Sequence, residues 1–392
     1  MDLLQEARNL PLVKHRRWLH SHAETGFDLK NTLSYVEKQL KKVKLSPIFC
    51  GKSGIYADIC GEKPGKTILL RADMDALPIK EEAEIPFASK VGNMHACGHD
   101  LHTAMLLGAA QLLNNHKSEL CGKVRLMFQP AEEILQGAAD MYDHGVLDGV
   151  DRAMMLHVLT GGELPTGTVI LPAAGVGAPS ADYFTIEVRG AGCHGALPHT
   201  GIDPIIPACH ILQALQTIQT REMPPEEGVV LTVGSFQAGS APNVIADKSV
   251  LKGTMRTYSE EARQQFKNRM THMARRLANT FRAEAEITFD TGCPTLLNDR
   301  QMVEYASKNL SVLLGEEKVL TQGLLSRTAK GSGSEDFAYI SHQVPSLMVA
   351  LAAGQKSDGH IHPAHHPKVT FDEAALPYGA AIYAQMVLKT TC

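Results

Sequence analysis

Tyr183-Phe184-Thr185-Ile186-Glu187-Val188 reads as a strand, and it opens a segment whose element order differs from everything around it. Asp203–Thr220 follows as a helix, Val229–Phe236 and Ser249–Tyr258 as strands, Glu260–Phe281 as a long helix and Ala285–Phe289 as a last strand. That order, β-α-β-β-α-β, is the order of a ferredoxin-like unit. Working outward, residues 12–44 carry a pair of helices, with Pro11 at a first turn. Ile55–Ile59 and Thr67–Arg71 read as strands joined by Gly61-Glu62-Lys63-Pro64-Gly65. Asp100 is the expected cap of a helix whose apolar residues fall at 101, 104, 105, 109, 112 and 113. Lys123–Phe128, Ala153–His157 and Val344–Ala353 are further strands. Strands alternating with helices imply an α/β sheet. The expected architecture is therefore two-domain: residues 1–180 and 296–392 form an α/β domain, and 181–295 form an inserted α+β lid.

Bulk properties exclude several classes. The 392 residues are 44% hydrophobic and 20% charged, an ordinary globular composition long enough for two cores. A formal net charge of −4, with no basic patch interleaved with aromatics, gives no sign of a nucleic-acid partner. The apolar runs are too short for a membrane span. Met1-Asp2-Leu3-Leu4-Gln5-Glu6 lacks the basic start and apolar core of a signal peptide. The 8 cysteines are scattered without a CxxC pair, which points to a reducing cytoplasm rather than a disulfide framework. The 18 histidines are more telling, because of where they fall.

His95-Ala96-Cys97-Gly98-His99-Asp100-Leu101-His102 is the densest cluster. Cys97 and His99 are two apart, so an extended backbone would place them on one side. Thiolate and imidazole both suit zinc-like metals, although a free buried cysteine beside surface histidines has the same sequence. Phe128-Gln129-Pro130-Ala131-Glu132-Glu133 follows a strand, at the carboxyl end where open α/β sheets place ligands. One carboxylate there could bind metal while the other holds a proton; two solvated Glu at a helix start are the plainer alternative. His157 closes the strand Ala153-Met154-Met155-Leu156, as a ligand or as a hydrogen-bonded core residue. Gly359-His360-Ile361-His362-Pro363-Ala364-His365-His366-Pro367 is a His-rich loop in which spacing does not single out one ligand. Together these clusters offer five or more donors. One catalytic zinc rarely takes so many. A two-metal site with an extra carboxylate for proton transfer accommodates them.

These motifs resemble the peptidase M20 family, in particular its aminoacylase, hippurate hydrolase and auxin-amino-acid conjugate hydrolase branch. The resemblance runs nearly end to end. It also covers Arg71-Ala72-Asp73-Met74-Asp75-Ala76-Leu77-Pro78, Gly192-Cys193-His194-Gly195-Ala196-Leu197-Pro198-His199, Ala241-Pro242-Asn243-Val244-Ile245 and Ser334-Glu335-Asp336-Phe337-Ala338-Tyr339. It implies a metallopeptidase-like catalytic domain with a lid that also serves dimerisation. Cys97, His99, Glu133, His157 and His365 then match metal ligands, with Cys97 a bridge and His362 the runner-up to His365. Glu132 matches the general base, and Asp75 a partner orienting the His99 side of the site. His194 matches a residue that polarises the scissile carbonyl, often from a neighbouring subunit, which implies a homodimer. Asn243 and Arg256 look similar to groups that hold the substrate, an Arg fork suiting a carboxylate. Two divalent ions (zinc, manganese, nickel or cobalt) are implied as cofactors. The implied reaction is hydrolysis of an N-acyl amino acid to a carboxylic acid and a free amino acid. Departures from the family pattern are Ala23-Glu24, where Pro-Glu is usual, and Val369, where an aromatic is usual.

Rival readings are a dipeptidase, carboxypeptidase or ureido-acid amidohydrolase of the same family, a cysteine hydrolase using Cys97, and a non-catalytic binding protein. The P-loop-like Gly65-Lys66-Thr67 has the wrong upstream spacing and leads into a strand.

Overall fold

The structure is a computed structural model that describes residues 2–321 and 333–388. The chain divides into two compact units, and Ala178–Leu296 is the body of the second. The first is built on an eight-stranded sheet. Its strands are β1 (Ile48–Cys50), β2 (Gly54–Cys60), β3 (Lys63–Asp73), β4 (Cys121–Gln129), β5 (Arg152–Leu159), β6 (Val169–Leu171), β15 (Val319–Thr321) and β16 (Ser346–Ala352). Their spatial order is β1-β2-β4-β3-β5-β16-β6-β15. The centre, β4-β3-β5-β16, is parallel. Both faces of such a strand are covered, so its sequence reads as a continuous apolar run. Ala153-Met154-Met155-Leu156 is that run, and all four residues are buried.

The helices of this unit are α1 (Leu3–Arg8), α2 (Leu12–Ser21), α3 (Lys30–Lys42), α4 (His99–Asn115), α5 (Gly137–Asp143), α8 (Arg300–Leu314) and a C-terminal helix, Ala375–Leu388. α4 is buried nearly all round, from His99 to Leu113. A helix apolar on every side belongs inside a core, and α4 packs against the C-terminal helix. At that crossing a side chain on Gly379 would strike the Met105 sulfur, so a larger residue would push the helices apart.

Local readings need adjustment. β3 starts at Lys63, so the tripeptide Gly65-Lys66-Thr67 lies within a strand. β4 inserts between β2 and β3, which therefore do not pair. Asp100 does not cap α4. Gly98 is the cap residue, in the left-handed region at φ 93°, and the Asp100 carboxylate instead accepts from Arg16 Nε at 2.9 Å and pairs with His20 Nδ1 at 2.8 Å. Buried charges found partners that outcompeted the local cap.

In the second unit, β8 (Ala181–Arg189), β10 (Val230–Ala238), β12 (Lys248–Arg256) and β13 (Glu284–Cys293) form one antiparallel sheet of order β10-β12-β8-β13. α6 (Ile205–Thr217) and α7 (Glu260–Thr280) share a core with Phe184, Ile186, Val188, Leu251 and Met255 of this sheet. The expected helix 203–220 begins later, at Ile205 behind Pro204, and its last turn, Ile218–Glu222, is π-helical. Two short pairs complete the strands: β9 (Cys193–His194) with β11 (Val244–Ile245), and β7 (Gly175–Ala178) with β14 (Leu296–Asn298). Among the described residues, no helix is long and apolar enough to cross a membrane.

Candidate metal centre

The candidate residues of the first unit converge at the carboxyl ends of β3, β4 and β5. Cys97 and His99 are brought to one side by a route other than extended backbone. Gly98, at φ 93°, turns the chain between them, and a side chain there would collide with Val158 at 2.5 Å. His99 is then the first residue of α4. His157 lies in β5, which continues past it to Leu159. Cys97 Sγ is 3.5 Å from His157 Nε2.

Two neighbouring donor sets share the Cys97 sulfur. One is Cys97, His99 and His157; the other is Cys97, Glu133 and His365, and the donor atoms within each set lie within 4.8 Å of one another. His99 donates from Nδ1 to the Asp75 carbonyl at 2.8 Å, and His157 from Nδ1 to the Val158 carbonyl at 2.8 Å. Each imidazole therefore turns its Nε2 toward the cluster, the nitrogen that a metal would take in place of a proton. His99 Nε2 and Glu133 Oε1 are buried and make no hydrogen bond among the described residues. His365 sits in the left-handed region, at φ 68°, with its N–H donated to the Ala96 carbonyl at 2.8 Å, and its Nε2 is 3.6 Å from Glu133. His362 falls outside these sets and stacks its ring on His366 at 4.1 Å.

Charge points the same way. Burial pushes the Cys97 thiol up to about 12 against the pull of His99. Burial, with Asp75 and Asp73 nearby, pushes Glu133 up to about 7 although His99 opposes it. Burial and the charges of Glu335, Glu133 and Asp336 raise Glu132 well above the carboxylate range. Burial and His102 hold His157 neutral, down to about 3. Clustered acidic groups that resist ionising, beside a neutral His157 and a His99 that surrounding acids hold protonated in the absence of metal, make a site whose protons a divalent cation would displace. Five N, O and S donors arranged around one shared sulfur fit two divalent ions.

The Glu pair is not a solvated helix start. No helix begins at Glu132, and the residue is only 6% exposed. The Asp75 carboxylate clamps the loop by accepting the N–H of Glu132 at 3.0 Å and of Glu133 at 3.2 Å. Asp75 thus touches both halves of the cluster, His99 through its carbonyl and the Glu pair through its carboxylate. Glu132 Oε2 stands 3.8 Å from His99 Nε2 and lies outside both Cys97 sets.

Beneath the cluster lies a buried network that local pattern does not single out. Arg71, fully buried, donates to Asp73 at 2.7 Å, Glu335 at 2.9 Å, Asp336 at 3.0 Å and Gln129 at 2.9 Å. Asp73 accepts from His102 Nδ1 at 2.6 Å, and His102 Nε2 accepts the Val158 N–H at 2.9 Å. His99, His102 and Arg71 keep Asp73 ionised in spite of its burial. The available signal was charge at the end of an apolar strand, in Leu70-Arg71-Ala72-Asp73.

The second unit holds the other candidates. Val244 pairs with His194, and the Gly195 N–H donates to the Asn243 carbonyl at 2.8 Å, so His194 and Asn243 are neighbours across a short ladder. Both are exposed, and His194 Nδ1 accepts the Ala196 N–H at 3.0 Å. Arg256 ends β12 and donates to Ser334 Oγ at 2.6 Å.

A fold with a parallel α/β centre and a cluster fitted to two ions defines a metallohydrolase. The family profile "Peptidase family M20/M25/M40" matches residues 69–389. The chain is 39% identical over 368 residues to N-acetyl-L-cysteine deacetylase of Bacillus subtilis, covering 93% of this chain and 84% of that one. It is 34% identical to thermostable carboxypeptidase 1 of Saccharolobus solfataricus, with 99% of each covered. A dinuclear metal-binding M20 peptidase structure from Bacillus subtilis superimposes with a TM-score of 0.79 at 34% identity, covering 96% of both chains. This chain belongs to peptidase family M20/M25/M40.

Proposed function

We propose that the chain is a metal-dependent amidohydrolase that cleaves N-acyl amino acids to a carboxylic acid and a free amino acid. The observation that carries this reading is the pair of donor sets sharing Cys97, with the Glu132 carboxylate beside them but outside both. Cys97, His99, Glu133, His157 and His365 would hold two divalent ions. The thiolate, imidazole and carboxylate donors suit zinc, manganese, nickel or cobalt. Such ions, when bound, supply Lewis-acid activation of water and of the amide carbonyl. Glu132 takes the proton of the attacking water and returns it to the leaving nitrogen. Burial suits it to that shuttle, because it favours a carboxyl that readily holds a proton. Asp75 keeps Glu132 and His99 in register. In the second unit, His194 donates to the developing oxyanion, and Arg256 and Asn243 hold the free carboxylate of the substrate. We assign 181–295 as an inserted lid and dimerisation domain on 1–180 and 296–392, and the working form as a cytoplasmic homodimer.

The carboxypeptidase relative favours a second reading, in which the acyl group is itself an aminoacyl or peptidyl residue. One experiment separates them: amine release from N-acetyl, N-benzoyl and longer N-acyl amino acids and from dipeptides, with and without chelator. Chelator-sensitive release from acyl amino acids is expected. Release from peptides alone would replace the first reading with the second.

A further inference from the structure

We propose that the groove between α2, α3 and α4 is a binding site for a small planar aromatic anion, a ring bearing a carboxylate or a phosphate. The groove is a cavity of about 510 Å³ within the first unit, lined by Lys14, His15, Trp18, Tyr35, Lys38 and Lys42 among others. That volume suits a small ligand. The chain is formally −4, yet three lysines and no Asp or Glu line this groove. Among the described residues none of the three forms an ion pair; the nearby Lys41 is neutralised by Glu37 at 2.6 Å. Lys42 donates only to Gln39, at 3.0 Å. Burial, and after it the charges of Lys42 and Lys14, bring His15 down to about 4. Three uncompensated cations around one concavity attract an anion.

The floor supplies the aromatic half of the assignment. Trp18 lies parallel to Tyr35 at 3.9 Å and to His22 at 4.1 Å. The Tyr35 hydroxyl is 2.9 Å from His15 Nδ1, and their rings meet edge-on at 5.9 Å. Tyr35 and His22 cover the two faces of Trp18, so a flat ligand would stack on the outer face of Tyr35, a groove-lining ring that these contacts already hold in place. Hydrolysis at the Cys97 cluster makes no use of these residues, and the site stands or falls separately from that activity.

Trp18 is the only tryptophan of the chain, so its emission reports on this groove alone. The full-length protein is titrated with adenosine 5′-monophosphate and with benzoate, and with adenosine and inorganic phosphate as half-ligands. The expected result is a saturable change with at least one of the two aromatic anions, half-complete below about 1 mM. Preference for the nucleotide identifies a phosphate-bearing ligand; preference for benzoate identifies a carboxylate. The double variant Lys38→Glu/Lys42→Glu, on exposed positions, should bind at least about tenfold more weakly. Tyr35→Ala should weaken binding as well. Absence of saturation with both anions overturns the proposal. So does binding of adenosine or phosphate as tight as that of the aromatic anions, or unchanged affinity in the lysine variant.

Discussion

The cluster around Cys97 and the β9–β11 ladder carrying His194 and Asn243 present two ways of preparing functional groups. Around Cys97 the side chains are buried and held by distant parts of the chain. Asp75 clamps Glu132 and Glu133 from 57 and 58 residues away, and Arg71 reaches Glu335 across 264. Along the ladder the side chains are exposed; His194 pairs through its backbone with Val244, and its ring accepts only from Ala196, two residues on, among the described residues. The first region is preorganised at the cost of burying charge; the second leaves its groups solvated, and under the proposed function a substrate would be what desolvates them. Preorganised groups act through the chemical step, and solvated ones through binding and charge developed late.

Mutations can break or sharpen this contrast. The largest effect should come from Glu132→Gln, a loss of about 10²–10⁴-fold in kcat. Its metal content by elemental analysis should match the parent, and parental turnover would falsify the assigned proton shuttle. His194→Ala should follow, lowering kcat by about 10²–10³-fold with metal content again unchanged. Equal losses in kcat and metal content there would erase the distinction between the two regions. Asp75→Asn should weaken metal affinity about 10–100-fold, measured by competition with a chromophoric chelator, because the clamp on the Glu pair is loosened. Arg256→Ala should raise KM about tenfold with kcat little changed. An unchanged KM removes it from substrate binding.

The smallest effect is on stability, and it sharpens the charge argument. In the metal-free protein Glu133 is pushed up to about 7, Asp336 up to about 8 and His99 well above 6.5. The folded state thus keeps protons that the unfolded chain releases, so each contribution is full at low pH and is lost as pH rises through the folded value. His157 and His95, both lowered to about 3, are neutral in either state above 6.5 and do not oppose this. The metal-free protein should therefore lose stability between about pH 6.5 and 8, at up to about 1.4 kcal/mol per pH unit for each of these groups that still holds its extra proton. The metal-loaded protein should change less, its ions having displaced those protons. Parallel pH profiles of Tm for the two forms would contradict this.

Much of this was legible before any coordinates. The β-α-β-β-α-β run, the apolar strand leading into His157 (though it runs on to Leu159) and the adjacency of Cys97 and His99 are local facts, and period and spacing read local facts well. Two local inferences failed for one reason. Asp100 was expected to cap α4, and Cys97 and His99 to face one way through extended backbone. In each case a long-range demand prevailed: Arg16 and His20 took the carboxylate, and the Gly98 turn against Val158 set the angle. The choice between His362 and His365 was equally beyond spacing, because it turns on the His365 N–H reaching the Ala96 carbonyl next to Cys97.

By itself, then, the sequence determined the chemical inventory: a thiol, imidazoles and paired carboxylates at strand ends, and a second run of strands and helices bearing His194, Asn243 and Arg256. Tertiary structure alone decided how that inventory is set. It chose which ring nitrogen of His99 and of His157 faces the cluster, through the carbonyls of Asp75 and Val158. It buried Cys97 and Glu132, nearly buried Glu133, and set Glu335, Asp336 and Asp73 near them, and so displaced their proton affinities. The physical reason is that desolvation and charge pairing depend on neighbours in space, and here those neighbours lie tens to hundreds of residues apart in the chain.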